Sequence, residues 1–182
     1  MVTDLTFITN EKGKSLRDRF NELVKDTRFF DVLVGYFYTS GFYAIYPNLE
    51  KTEKIRILIG ISTNKQTYDL LQKVQSHKEV GDEVKEDIKS EMEESPNNFQ
   101  VEDGVYKFLE WLKNGKLEIR AYPEEKIHSK LYIMTFNEND RDIGRVITGS
   151  SNFTQSGLVD NLEFNIELKN SSDYEFAQNK FN

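Results

Sequence analysis

KIHSKLYIMTF (residues 126–136) and GSSN (residues 149–152) are the two stretches whose reading decides the fold. The first is a strand pattern, and a strand turns successive side chains to opposite faces. Ile127, Ser129, Leu131 and Ile133 then share one face, mostly apolar, that suits a core. His128, Lys130, Tyr132 and Met134 share the other. That face begins with two groups able to meet an anion, their attachment points about 7 Å apart in a regular strand. The polar turn NENDRD and the run GRVIT complete a hairpin. The hairpin carries GSSN back beside His128 and Lys130.

LEFNIEL, residues 162–168, reads as the last strand, with Leu162, Phe164, Ile166 and Leu168 on one face and Asn161, Glu163 and Asn165 on the polar one. SSDYEFAQNKFN opens a helix and ends without a capping signal, which suggests the N-terminal piece of a longer protein. Upstream, SLRDRFNELVKD has apolar residues at helical spacing. RFFDVLVGYFY and KIRILIGI are dense, β-branched and aromatic runs, read as buried strands. TSGFYAIYPNL between them is a short helix entered at Thr39 or Ser40 and stopped near Pro47. Residues 67–94 are helical in pattern. VYKFLEWLKNG is an amphipathic helix closed by Gly115, and KLEIRAY is a strand. Helices alternate with strands early, and strands pair antiparallel late. The expectation is an α/β fold with a mixed sheet and helices on both faces.

The chain has 182 residues, 37% hydrophobic and 13% aromatic, which suits a single domain, 1–182, with its own core. It has no cysteine, so disulfides and thiolate zinc sites are excluded, and a reducing cytoplasm fits. The opening residues show no signal-peptide pattern, and the apolar runs are too short to span a bilayer. The net charge of −7 argues against general nucleic-acid affinity. Residues 77–95, however, hold eight acids against three lysines and so account for five of the seven. A local basic site elsewhere remains compatible with that balance.

The chemistry-bearing residues suit a phosphodiester. Lys130 offers a compact positive charge to a phosphate oxygen. Ser150 and Asn152 offer neutral donors, and Gly149 lets backbone approach. Glu163 can hold one ring nitrogen of His128 and leave the other free. A neutral imidazole is a competent nucleophile toward phosphorus. Taken singly, each has an ordinary explanation: a structural histidine, an edge lysine that blocks aggregation, a turn, a wet strand face. His128 with Glu163 would make a poor, two-ligand metal site. A Ser150/His128 hydrolase lacks the nucleophile-elbow context. His77 lies in a charged helical region and reads as solvated. Tyr36, Phe37, Tyr38, Phe42 and Tyr43 could stack on bases but read as core.

Together, HSKLYIM, GSSNFT and NLE resemble the HKD motif of the phospholipase D superfamily. DVLVGYFYTSGFYAI and IRILIGIST resemble the opening strands of phospholipase D-like domains in bacterial helicases and restriction enzymes. The resemblance implies a mixed β-sheet of about seven strands and a metal-independent nuclease acting on DNA, or else a phosphate-binding module of a helicase with little catalysis. It implies His128 as nucleophile through a phosphohistidine, Lys130 and Asn152 on phosphate oxygens, Ser150 supporting them, and Glu163 orienting His128, with no metal or other cofactor. Lipid chemistry is disfavoured by the lack of a membrane-binding helix. One departure stands out, since the family aspartate falls at Thr135. The family uses paired motifs and this chain has one, so a homodimer with a shared active site is expected, with Met134, Phe153 and Leu158 as apolar lining.

Overall fold

The computed structural model describes residues 6–35, 37–60, 98–122, 127–138 and 142–182. The strands are β1 (Phe7–Ile8), β2 (Thr27–Val34), β3 (Lys54–Gly60), β4 (Leu117–Tyr122), β5 (Lys130–Phe136), β6 (Gly144–Gly149) and β7 (Asn165–Leu168). They form one seven-stranded sheet in the order β1-β7-β6-β5-β2-β3-β4. β2, β3 and β4 pair in parallel, and the remaining neighbours pair antiparallel. This is the mixed sheet the sequence leads one to expect.

Helices cover both faces. α1 (Leu16–Leu23), α2 (Thr39–Ile45) and α3 (Asn98–Asn114) lie on one, and α4 (Ser171–Phe181) lies on the other. α1 starts where Ser15 Oγ accepts the Asp18 N–H at 3.1 Å, satisfying a free donor of the first turn. Its apolar stripe drives Phe20 against Phe30 and Tyr132, with ring centroids 5.7 and 5.0 Å apart. Phe42 of α2 meets Phe108 and Trp111 of α3 edge-on. Gly115 closes α3 at φ 79°, the left-handed conformation expected of a helix stop. On the second face Ala177 of α4 packs on Ile133 and Val146.

Several expectations need correction. β5 begins at Lys130, so His128 and Ser129 precede the strand and are exposed. On the face shared with Lys130, Tyr132 and Met134 are fully buried under α1 and its neighbours. β5 is a central strand, and central strands in such sheets bury both faces. Met134, Phe153 and Leu158, expected at a subunit contact, are all in the core. β7 inverts the expected pattern. Leu162 and Phe164, before the strand proper, are 77% and 61% exposed. Asn165 and Glu167 are the buried residues. The reason is partnership: the Glu167 carboxylate accepts from Arg19 Nε and Nη2 at 2.6 and 2.8 Å and lies 3.3 Å from Arg145 Nε. Two guanidinium partners offset the desolvation cost of this buried charge. β1 was not foreseen, and of the five aromatics read as core, Tyr38 is 42% exposed. The helical pattern at 67–94, His77 and Tyr36 lie outside the described residues.

Candidate active site

The antiparallel pairing of β5, β6 and β7 gathers the chemistry at one end of the sheet. β5 starts there, β6 ends there and β7 starts there. Lys130 pairs with Val34 at the end of β2. Leu131 pairs with Thr148, so the same register carried one step further sets Lys130 against Gly149. Thr148 Oγ1 donates to the Lys130 carbonyl at 2.8 Å and locks this end of the hairpin. His128 sits just ahead on the approach to β5, in a backbone run that passes close over Gly35. A Cβ on Gly35 would lie 2.6 Å from the Ile127 carbonyl oxygen, so a side chain there would push the histidine segment off the sheet.

His128 is exposed, and among the described residues its imidazole has no hydrogen-bond partner. Lys130 Nζ donates to the His128 carbonyl at 2.8 Å, which folds the ammonium back over the histidine segment. Ser150, exposed, donates through Oγ to the Glu163 carboxylate and accepts the Phe164 N–H at 2.9 Å. Its own N–H donates to the Phe164 carbonyl at 3.0 Å. Gly149 permits this approach, because a Cβ there would stand 2.2 Å from that carbonyl oxygen. Asn152 is half-buried. The sheet thus brings His128, Lys130, Ser150, Asn152 and Glu163 to one end, but Glu163 is engaged by Ser150 and not by His128. The expected carboxylate–imidazole contact is absent from this arrangement. Asn161, expected beside Glu163 on a strand, ends a π-helical turn (residues 156–160) and is exposed.

Residues to which sequence reasoning gave no role hold the turn from beneath. Tyr132 Oη donates to the Ser151 carbonyl at 2.7 Å. Asn165 Nδ2 donates to Ser151 Oγ at 2.8 Å, and the Ser151 N–H donates to Asn165 Oδ1 at 3.3 Å. Burial first, and the Glu163 charge second, push the Tyr132 hydroxyl well above its ordinary pKa of 10.0, so it is a donor at any working pH. Asn10 clamps the other flank, donating to the carbonyls of Gly157 and Asn161 at 2.9 and 3.0 Å. The signal for Asn165 was the polar spelling of the last strand, which reads equally well as a wet face, and that for Ser151 was its place in GSSN, which reads equally well as an ordinary turn. Thr135 is remote from this end of the sheet, five residues along β5 and under α4. Its hydroxyl bonds Tyr174 Oη at 2.7 Å and accepts from Gln178 Nε2 at 3.3 Å. Gln178 also donates to the buried Asp31 carboxylate, itself held by Arg56 through bonds of 2.6 and 2.7 Å.

A family profile described as cardiolipin synthase, PLD-like domain, matches residues 27–182. No curated protein matches the sequence. Among solved structures, NucT from Helicobacter pylori superposes with TM-score 0.51 at 14% identity, over 96% of this chain and 91% of that one. Nuc from Salmonella typhimurium, a phospholipase D family member, gives 0.50 at 14% identity, over 96% of this chain and 86% of that one. A variant of yeast tyrosyl-DNA phosphodiesterase gives 0.50 at 10% identity, over 89% of this chain and 30% of that one. The chain therefore spans about a third of the yeast chains it matches. At such identities the likeness is one of fold.

Proposed function

The chain belongs to the phospholipase D superfamily, and from that premise we propose that it is a metal-independent phosphodiesterase that cleaves DNA through a phosphohistidine on His128. The observation that carries this reading is the approach of His128, Lys130, Ser150, Asn152 and Glu163 to one end of the sheet, with the His128 ring unengaged. A ring nitrogen of His128 attacks phosphorus, and a P–N bond forms as the P–O bond to one side of the diester breaks. The departing oxygen takes a proton from a second group. Water, giving a proton to that same second group, then attacks phosphorus, the P–N bond breaks and His128 is restored. Lys130 offsets charge on one non-bridging oxygen and Asn152 donates to another, while Ser150, its hydroxyl proton given to Glu163, supports the turn. Glu163 accepts the Ser150 hydroxyl and so holds the turn against the start of β7.

In-line displacement leaves the departing oxygen opposite the nucleophile, so one imidazole cannot serve both ends. A homodimer about a twofold axis supplies the second, because such an interface sets each residue against its own mate. The exposed Leu162 and Phe164, with Phe7 packed on Phe164 at 5.7 Å, offer apolar surface beside the turn for that contact. They replace the buried residues named from sequence.

The resemblance of the opening strands supports a setting as the nuclease domain of a helicase or restriction-type protein in the cytoplasm. Among the described residues no helix is long and apolar enough to cross a membrane. A second reading is a phosphate-binding module with little turnover, favoured by Thr135 in place of the family aspartate and by the net charge of −7. The test is cleavage of DNA and of bis-p-nitrophenyl phosphate in excess EDTA. Activity that persists in EDTA and vanishes in His128→Ala supports the enzyme. Activity that EDTA abolishes and magnesium restores overturns the mechanism. Binding of DNA without cleavage supports the second reading.

A further inference from the structure

We propose that Tyr132 and Asn165 are positioning residues that fix the phosphate-binding turn, residues 149–152, relative to Lys130. The proposal rests on the phosphodiesterase reading and deepens it. Its basis is Ser151. This residue is fully buried, and its N–H, carbonyl and hydroxyl are all held by two buried side chains, Tyr132 from β5 and Asn165 from β7. Ser151 is thus a peg driven into the sheet. Ser151 thereby pins the turn between its neighbours, the exposed Ser150 and the half-buried Asn152, the latter the proposed phosphate donor.

The two holders divide the task. Tyr132 stands two residues from Lys130 on the same strand and the same face, so its bond to Ser151 ties the lysine strand to the turn. Asn165 opens β7, two residues after Glu163, and Gly149 pairs with it in the sheet. Its bonds to Ser151 tie the Glu163 segment to the same peg. Neither side chain reaches the open end itself. Both act through Ser151, and their effect on the reaction is geometric. Displacement of catalytic groups by about 1 Å can cost about 10²-fold in rate.

The experiment compares Tyr132→Phe, Asn165→Ala and Ser151→Ala with the unmodified chain, at a temperature where all are folded by circular dichroism. Gln178→Ala, whose hydrogen bonds lie under α4 on the other face, serves as a stability-matched control. The expected result is a fall in kcat on bis-p-nitrophenyl phosphate of 10- to 100-fold for Tyr132→Phe and Asn165→Ala, with kcat unchanged in Gln178→Ala. Asn165→Ala should cost clearly less in a Ser151→Ala background, because two groups acting through one peg do not add. Folded variants with kcat within twofold of the parent, or falls matched by Gln178→Ala, overturn the proposal while leaving the phosphodiesterase reading intact. An unmodified chain that neither cleaves the diester nor shifts its His128 ring resonances with inorganic phosphate overturns both.

Discussion

Glu167→Ala tests how β7 is held, and its size can be worked from the geometry. The Glu167 side chain is fully buried, Arg145 is 8% exposed and Arg19 is 24% exposed. Arg19 spends two donors on the carboxylate, and this contact raises its already high pKa. Removing one partner of a buried pair costs about 3–5 kcal/mol, because the other charge is stranded. Two residual contacts soften this, Arg19 to Glu22 at 3.0 Å and Arg145 to Asp142. The expected loss is therefore near the lower bound, about 3 kcal/mol. For a chain of this size that lowers Tm by about 6–12 °C. Glu167→Gln keeps an acceptor oxygen and should lose less, about 2 kcal/mol. Urea unfolding followed through the single tryptophan, the buried Trp111, measures both. The midpoint should fall with m unchanged. A loss below about 1 kcal/mol for Glu167→Ala would refute the reasoning, since an exposed pair is worth that little.

Other outcomes follow from the same structure. Phe20→Ala empties the junction of α1 with β2 and β5 and should cost about 3–5 kcal/mol in the same urea assay. Tyr46, desolvated and bonded to Asp103, has its pKa pushed up to about 12, and Tyr132 is raised in the same direction. Both tyrosines stay protonated in the fold while the unfolded chain releases its protons near pH 10, so their stabilisation is complete below that pH and is lost as pH rises above it. Urea midpoints between pH 9 and 11.5 should fall, and Tyr46→Phe should flatten the fall. Leu162→Ser with Phe164→Ser removes exposed apolar surface, so Tm should change little while sedimentation shifts from twice 21.3 kDa toward the monomer. Monomer already in the parent chain at micromolar concentration would remove the shared-site dimer.

Much of the site was legible because its parts are close in sequence. A single hairpin carries His128, Lys130 and GSSN, and hairpin register follows from local pattern. The strands of β2 and β3 announce themselves as β-branched runs, and Ser15 and Gly115 mark helix ends by type alone. What escaped depends on partners far along the chain. Asn165 and Glu167 look like a solvated face until Ser151, Arg145 and the distant Arg19 are brought to them. Met134, Phe153 and Leu158 suit a subunit contact until the sheet and its helices close over them. Phe7–Ile8 is too short to show a period. The Glu163 contact was misassigned because two acceptable donors, His128 and Ser150, lie at the same end of the sheet and spacing cannot choose between them.

The most direct test of a phosphohistidine on His128 is to trap it. The chain is mixed with an activated DNA diester in excess EDTA and quenched in alkali within milliseconds to seconds, then digested and read by mass spectrometry. The expected result is an acid-labile, alkali-stable nucleotide adduct on the peptide that contains His128, absent from His128→Ala. Cleavage that proceeds with no adduct at any quench time, or an adduct carried by another residue, would contradict it.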